Sequence, residues 1–213
     1  MYNENILNEL RELKENFDFN MVRIDSLCSL YSELRDNHIK EKERTKRTDV
    51  LRAAVVFMHS SFENYYRGVL ICLLPQSKNI SSLKNISFLG NNGRHEEKIT
   101  LDGLSKYSDK SVEYIISESV KEALNSTSFN NYTDISSWSK KVNIDLNSFN
   151  QQKELDELIK RRHKIVHEAD NQSQNGEHKL TQIRHDQVLK WKKTVNNLVN
   201  IIDDQLSNME ENK

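Results

Sequence analysis

The stripe Leu51, Val55, Met58, Phe62, Tyr65, Val69 and Leu73 repeats at helical spacing for about six turns before Pro75 closes it. An apolar face of that length calls for a helical bundle around it. Five glycines and one proline are too few for a turn-rich β fold, and 30% charged residues set among 3.6-residue patterns point to an all-α chain. Ile6, Leu10, Leu13 and Phe17 open a first amphipathic stretch, which Met21, Ile24, Leu27, Tyr31 and Leu34 continue or follow. Val112, Ile115, Ile116 and Val120 mark a further helix, and a short one is expected around Trp138. Ser148-Phe149-Asn150-Gln151 fits a capping box for a helix bearing Leu155, Leu158, Ile159, Ile165 and Val166. Val188, Trp191, Val195, Leu198, Ile202 and Leu206 form the face of the last helix. With no repeat or clear linker, one domain over 1–213 is expected, with its core at about 48–206 and residues 1–40 as an N-terminal helical extension. Between the core helices, the Ser/Asn-rich stretch 76–107, with Gly90, Gly93 and Gly103, reads as a long loop or loosely ordered insertion.

Thirty-one Lys and Arg against 32 Asp and Glu leave no overall basic charge, so any nucleic acid must be met by a local patch. Cys28 and Cys72 lie in apolar helical stretches and read as buried free thiols. The apolar run Val69 to Leu74 is far short of a membrane span, and the start Met1-Tyr2-Asn3-Glu4-Asn5 lacks signal-peptide character. A cytoplasmic protein without a membrane partner is the expectation. Gly-rich phosphate loops, nucleophile elbows and kinase signatures do not occur, and no cofactor is expected.

Chemistry concentrates in Arg161-Arg162-His163-Lys164-Ile165-Val166-His167, at the end of a helix. Arg162 falls inside the apolar stripe of that helix, where a cation has to be paired. A second, thinner stripe on the long helix, Ala53, Val56, Ser60, Glu63, Arg67, Leu70 and Leu74, is polar at its centre. Glu63 is therefore a candidate partner for Arg162, either as a structural ion pair or as part of a site. His167 offers the side chain best suited to proton transfer near neutral pH. His163 and the cations Lys160, Arg161 and Lys164 around it suit a phosphate-bearing substrate. A metal reading of His163 and His167 is weak, because a zincin needs Glu where Lys164 stands and the nearby cations repel a metal ion. His59, one turn before Glu63, either joins the polar centre of its helix or sits outside it. Lys40 to Arg47 and the Lys190, Lys192, Lys193 cluster are read as solvated faces, with an RNA-tracking role as the alternative.

The block Glu157-Leu158-Ile159-Lys160-Arg161-Arg162-His163-Lys164-Ile165-Val166-His167 resembles the HEPN superfamily, whose hallmark is Arg, a polar residue, a few positions and then His. It is especially similar to the RiboL-PSP-like stand-alone group. Leu51 to Leu74, with Ser61-Phe62-Glu63, and the closing helix around Trp191 extend the likeness over most of 48–206. The resemblance implies a metal-independent endoribonuclease of toxin or antiviral-defence type, with RNA as substrate. An antitoxin or defence-system partner would accompany such an activity. By position, His167 would help move the 2′-hydroxyl proton, Arg162 would stabilise charge on the phosphate, His163 fills the polar position, and Glu63 matches a helix acid. The rival reading is a catalytically silent module that binds RNA, a nucleotide or a protein. In a regular helix Arg162 and His167 point roughly 140° apart. Either the helix ends before His167 or a second subunit completes the site. Family members generally pair their motifs across a two-fold axis, so the resemblance implies a homodimer, in which one His can act as base and the other as acid.

Overall fold

The computed structural model describes residues 4–36, 44–77, 80–84, 86–89, 100–172 and 180–211. Among these the regular structure is helical: α1 Glu4–Asp36, α2 Arg44–Leu73, α3 Leu101–Ser105, α4 Val112–Asn125, α5 Tyr132–Lys141, α6 Gln152–Glu168 and α7 His185–Glu211. There is no strand among the described residues, and the sole β feature there is an isolated bridge between Asn171 and Leu180. None of these helices is long and apolar enough to cross a membrane.

Helix α2 is the hub, packing against α1, α4, α6 and α7. Every residue of its Leu51 to Leu73 stripe is buried, as the spacing predicts, and all of them belong to one continuous hydrophobic cluster. The thinner stripe divides. Leu70 and Leu74 are buried, whereas Ala53 and Ser60 are exposed, because the 3.6-residue drift carries the first half of that row out to solvent. On α7, Val188, Trp191, Val195, Leu198, Ile202 and Leu206 are all buried. Both cysteines are buried free thiols.

The two N-terminal stretches form a single 33-residue helix rather than two. Leu10, Phe17, Met21, Ile24, Cys28 and Tyr31 of α1 enter the common core, and the Phe17 ring lies 5.7 Å from that of Tyr65. Close approach of α1 to α2 rests on Gly68, where an added Cβ would run into the end of the Leu13 side chain. Gly68→Val is expected to destabilise the fold by about 1–3 kcal/mol, since Leu13 must leave its seat to admit a branched side chain. Urea unfolding checks this. An unchanged midpoint would mean that the helices re-space freely.

Helices α4 and α5 begin on side-chain caps: Ser111 Oγ accepts from Tyr114 N at 3.1 Å, and Asn131 Oδ1 from Asp134 N at 2.9 Å. Helix α6 departs from expectation. It begins at Gln152, and its cap residue Gln151 makes no side-chain capping bond. The Ser148–Gln151 capping box does not form, because Phe149 is drawn into the core against the Tyr132 ring at 5.6 Å, and the chain turns there instead. The stretch 76–107 is likewise more than a bare loop where it is described. Short 3-10 turns span Leu74–Gln76 and Ile80–Leu83, Ser82 donates to the Lys141 carbonyl at 2.9 Å, and Leu89 N donates to Ser119 Oγ at 2.9 Å. Gly90 and Gly93 lie outside the described residues.

Candidate functional site

Helix α6 remains helical through Glu168 and closes on two left-handed residues, Ala169 (φ 48°) and Asp170 (φ 58°). The backbone N–H groups of both return to the Lys164 carbonyl. The helix therefore does not end before His167, and Arg162 and His167 diverge by about 140° within one chain.

That closing turn swings Asp170 back beneath the helix and buries it completely. Its Oδ2 accepts from Arg52 Nε at 2.6 Å and from Arg161 Nη2 at 2.8 Å. The Thr181 carbonyl accepts from Arg52 Nη2 at 2.8 Å and Arg161 Nη2 at 2.9 Å, so one carboxylate and one carbonyl hold two guanidinium groups. Burial lowers the Arg161 pKa and the Arg52 cation adds to that, while Asp170 acts against both. Arg161, expected among the RNA-contacting cations, is thus engaged inside the fold. The signal for its network was present in the sequence. Arg52 sits between Leu51 and Ala53-Ala54, a charge at the edge of the strongest stripe.

Arg162 is half-buried, and its Nε is buried without a hydrogen-bond partner among the described residues. Glu63 is not its direct partner. Glu63 Oε1 accepts from Arg67 Nη2 at 2.7 Å, and Oε2 lies 3.5 Å from His59 Nδ1. The i, i+4 neighbour on the same helix takes the acid before a residue from another helix can.

Beyond Arg162 the stripe reaches the edge of the core. Ile165 is half-buried and still packs against the core, whereas Val166, about 100° further round the helix, is 46% exposed, contrary to its place in the apolar row. His163, His167 and Lys160 are exposed on this part of the helix and Lys164 is half-buried. One turn apart, the His163 and His167 rings meet with centroids at 4.5 Å. Among the described residues no three of His, Cys, Asp and Glu gather as a metal set.

His59 is the residue whose importance the sequence left open. It is buried on the α2 side of this region, with only 4% of its surface exposed. Burial, followed by the neighbouring Arg162 cation, lowers its pKa from 6.5 to about 4, so it is neutral at physiological pH. Between those two values the unfolded chain binds a proton that the folded chain refuses. Stability should therefore rise with pH from about 4 to 6.5 and be lost as pH falls through that window, by roughly 3 kcal/mol. His59→Gln should narrow the difference between urea midpoints at pH 7 and pH 4.5. Identical pH profiles would show that His59 does not carry this dependence.

No curated protein and no solved structure matches the chain. A family model described as RiboL-PSP-HEPN matches residues 22–208, which takes in the second half of α1 as well as the helices from α2 to α7. HEPN-type domains are all-α and include ribonucleases and RNA-binding modules. Because that match takes in most of the chain, the chain belongs to the RiboL-PSP-HEPN family.

Proposed function

We propose that the protein is an endoribonuclease of toxin or defence type that cleaves RNA by attack of a 2′-hydroxyl on the adjacent phosphorus. The observation that carries this reading is the contrast between neighbouring arginines. Arg161 is committed to Asp170, whereas Arg162 has no carboxylate partner among the described residues and lies beside an exposed histidine pair. A phosphate in the substrate would supply the missing anion.

In this scheme His167 takes the 2′-hydroxyl proton as the O2′–P bond forms. His163, protonated, gives a proton to O5′ as the P–O5′ bond breaks. The products are a 2′,3′-cyclic phosphate and a 5′-hydroxyl. Two rings whose centroids lie 4.5 Å apart on one helix face can reach the same phosphodiester. Arg162 offsets the charge that builds on the non-bridging oxygens, a role that needs no metal ion. Lys160 and Lys164 would meet the flanking phosphates. Because Arg162 and His167 diverge within one helix, the working site would join Arg162 of one copy to the histidines of another.

Divergence within one chain is also what favours the second reading, a silent RNA-binding module. The two are separated by incubating the purified protein with total RNA in chelator and mapping the ends. Cyclic-phosphate ends that disappear with His167→Ala are expected. Binding without cleavage, with or without divalent ions, would leave the silent module, and cleavage only with a divalent ion would overturn the metal-free scheme.

A further inference from the structure

We propose that His163 and His167 form a chelating pair for a divalent ion of the zinc type, and that the bound ion reversibly blocks the site at the end of α6. Binding follows from the geometry of the pair alone, whereas the effect on cleavage rests on the ribonuclease reading.

The two residues are four apart on a helix that stays regular through both, so their side chains leave one face a single turn apart. Both are exposed, and their ring centroids lie 4.5 Å apart. With Zn–N bonds of about 2.0–2.1 Å, two imidazoles on one tetrahedral ion place their centroids roughly 5 Å apart. A small rotation of the side chains covers the difference. Neither ring takes part in a hydrogen bond or ion pair among the described residues, so no existing bond has to break for a nitrogen of each to turn to the ion.

Lys160, Arg162 and Lys164 stand on the same stretch of helix and weaken the binding of a cation there. Arg161 opposes it less than its position suggests, because it turns onto the buried Asp170. Lys160 is exposed, and its long side chain can carry the ammonium away from the ion. His167 lies in the last turn of α6, where the partial negative charge of the helix end favours a cation. Among the described residues no third His, Cys, Asp or Glu completes a metal set, so water would fill the remaining positions. Two protein ligands hold an ion reversibly, as a regulator rather than as a structural or catalytic centre. Imidazole nitrogen selects zinc, nickel and copper over magnesium and calcium, which take oxygen ligands. A nitrogen bound to the ion can neither take nor give a proton, so chelation would remove both groups of the acid–base pair at once.

The test has two arms on the full chain. In the first, zinc chloride alone is titrated while the histidine ring signals are followed by NMR. The His163 and His167 signals should move together, and magnesium at the same concentrations should leave them in place. In His163→Ala, zinc should reach His167 only at concentrations about a hundredfold or more higher, because a chelate has become a single ligand. His163 is exposed, so the variant keeps its fold. Equal zinc affinity in the native protein and the variant, or an equal response to magnesium, would overturn the site whether or not the protein cleaves RNA. In the second arm, cleavage is measured in chelator and then with zinc at a concentration that saturates the NMR signals. Zinc should lower the rate about a hundredfold or more, the worth of a lost acid or base, and excess chelator should restore it. Full turnover by the zinc-saturated protein would overturn the blocking role. If the native protein does not cleave RNA in chelator at all, the ribonuclease reading fails, and the titration alone decides the metal site.

Discussion

Asp170→Ala is expected to destabilise the fold by about 3–5 kcal/mol, more than any other single change at this end of the bundle. The carboxylate is completely buried, and its Oδ2 is shared by Arg52 and Arg161. Removing it leaves two guanidinium groups facing each other across the Thr181 carbonyl, with Asp49, 3.2 Å from Arg52 Nη1 and largely exposed, as the nearest other acid. Arg52→Met should cost less, because Asp170 then keeps Arg161 and each buried charge still has an opposite. Urea unfolding of the two variants gives the comparison. A loss below about 1 kcal/mol for Asp170→Ala would mean that the site behaves as a solvated surface pair. Asp170 also anchors the turn that closes α6, so the same variant should loosen the helix end carrying His167, seen as faster amide exchange there.

The residues of this network show where sequence reading stops. The stripes on α2 and α7 were legible because burial of a helix face imposes a 3.6-residue period, and every apolar position singled out on α7 is buried. The internal partners of Arg161 escape the sequence for a different reason. Its partner Asp170 reaches it through two successive left-handed residues that are neither Gly nor Asn, and no local pattern announces such a turn. Glu63 and Arg162 looked complementary as two charges in apolar rows. Sequence spacing could have warned that Arg67, four residues from Glu63, was the cheaper partner. His59 was not legible as a buried, neutral residue. Its burial depends on how α2 and α6 pack, which periodicity alone left undecided.

Neither Arg162→Ala nor His167→Ala should cleave RNA alone, yet a mixture of the two chains should. Losing a transition-state charge stabiliser costs about a hundredfold to a thousandfold, and losing a general base costs a similar amount. The expectation of rescue follows from the helix. It is regular through His167, so within one chain the half-buried Arg162 and the exposed His167 point about 140° apart. On the same exposed turn Val166 is 46% exposed beside His163, a small apolar surface that a second copy of α6 would cover in an isologous pairing. In a mixed dimer the intact Arg162 of one chain then faces the intact His163 and His167 of the other, while the opposite site lacks both Arg162 and His167. Each mixed dimer would have one working site in two. Random mixing makes about half of all dimers mixed, so activity should return to roughly a quarter of the native level. Co-expression with two different affinity tags isolates the mixed species, and its turnover should be about half that of the native dimer. No rescue would mean that the groups act within one chain or that both copies of His167 are needed, and either result overturns this arrangement. A native chain that sediments as a monomer while cleaving at full rate would overturn it more directly, because one helix would then have to unite side chains that it turns about 140° apart.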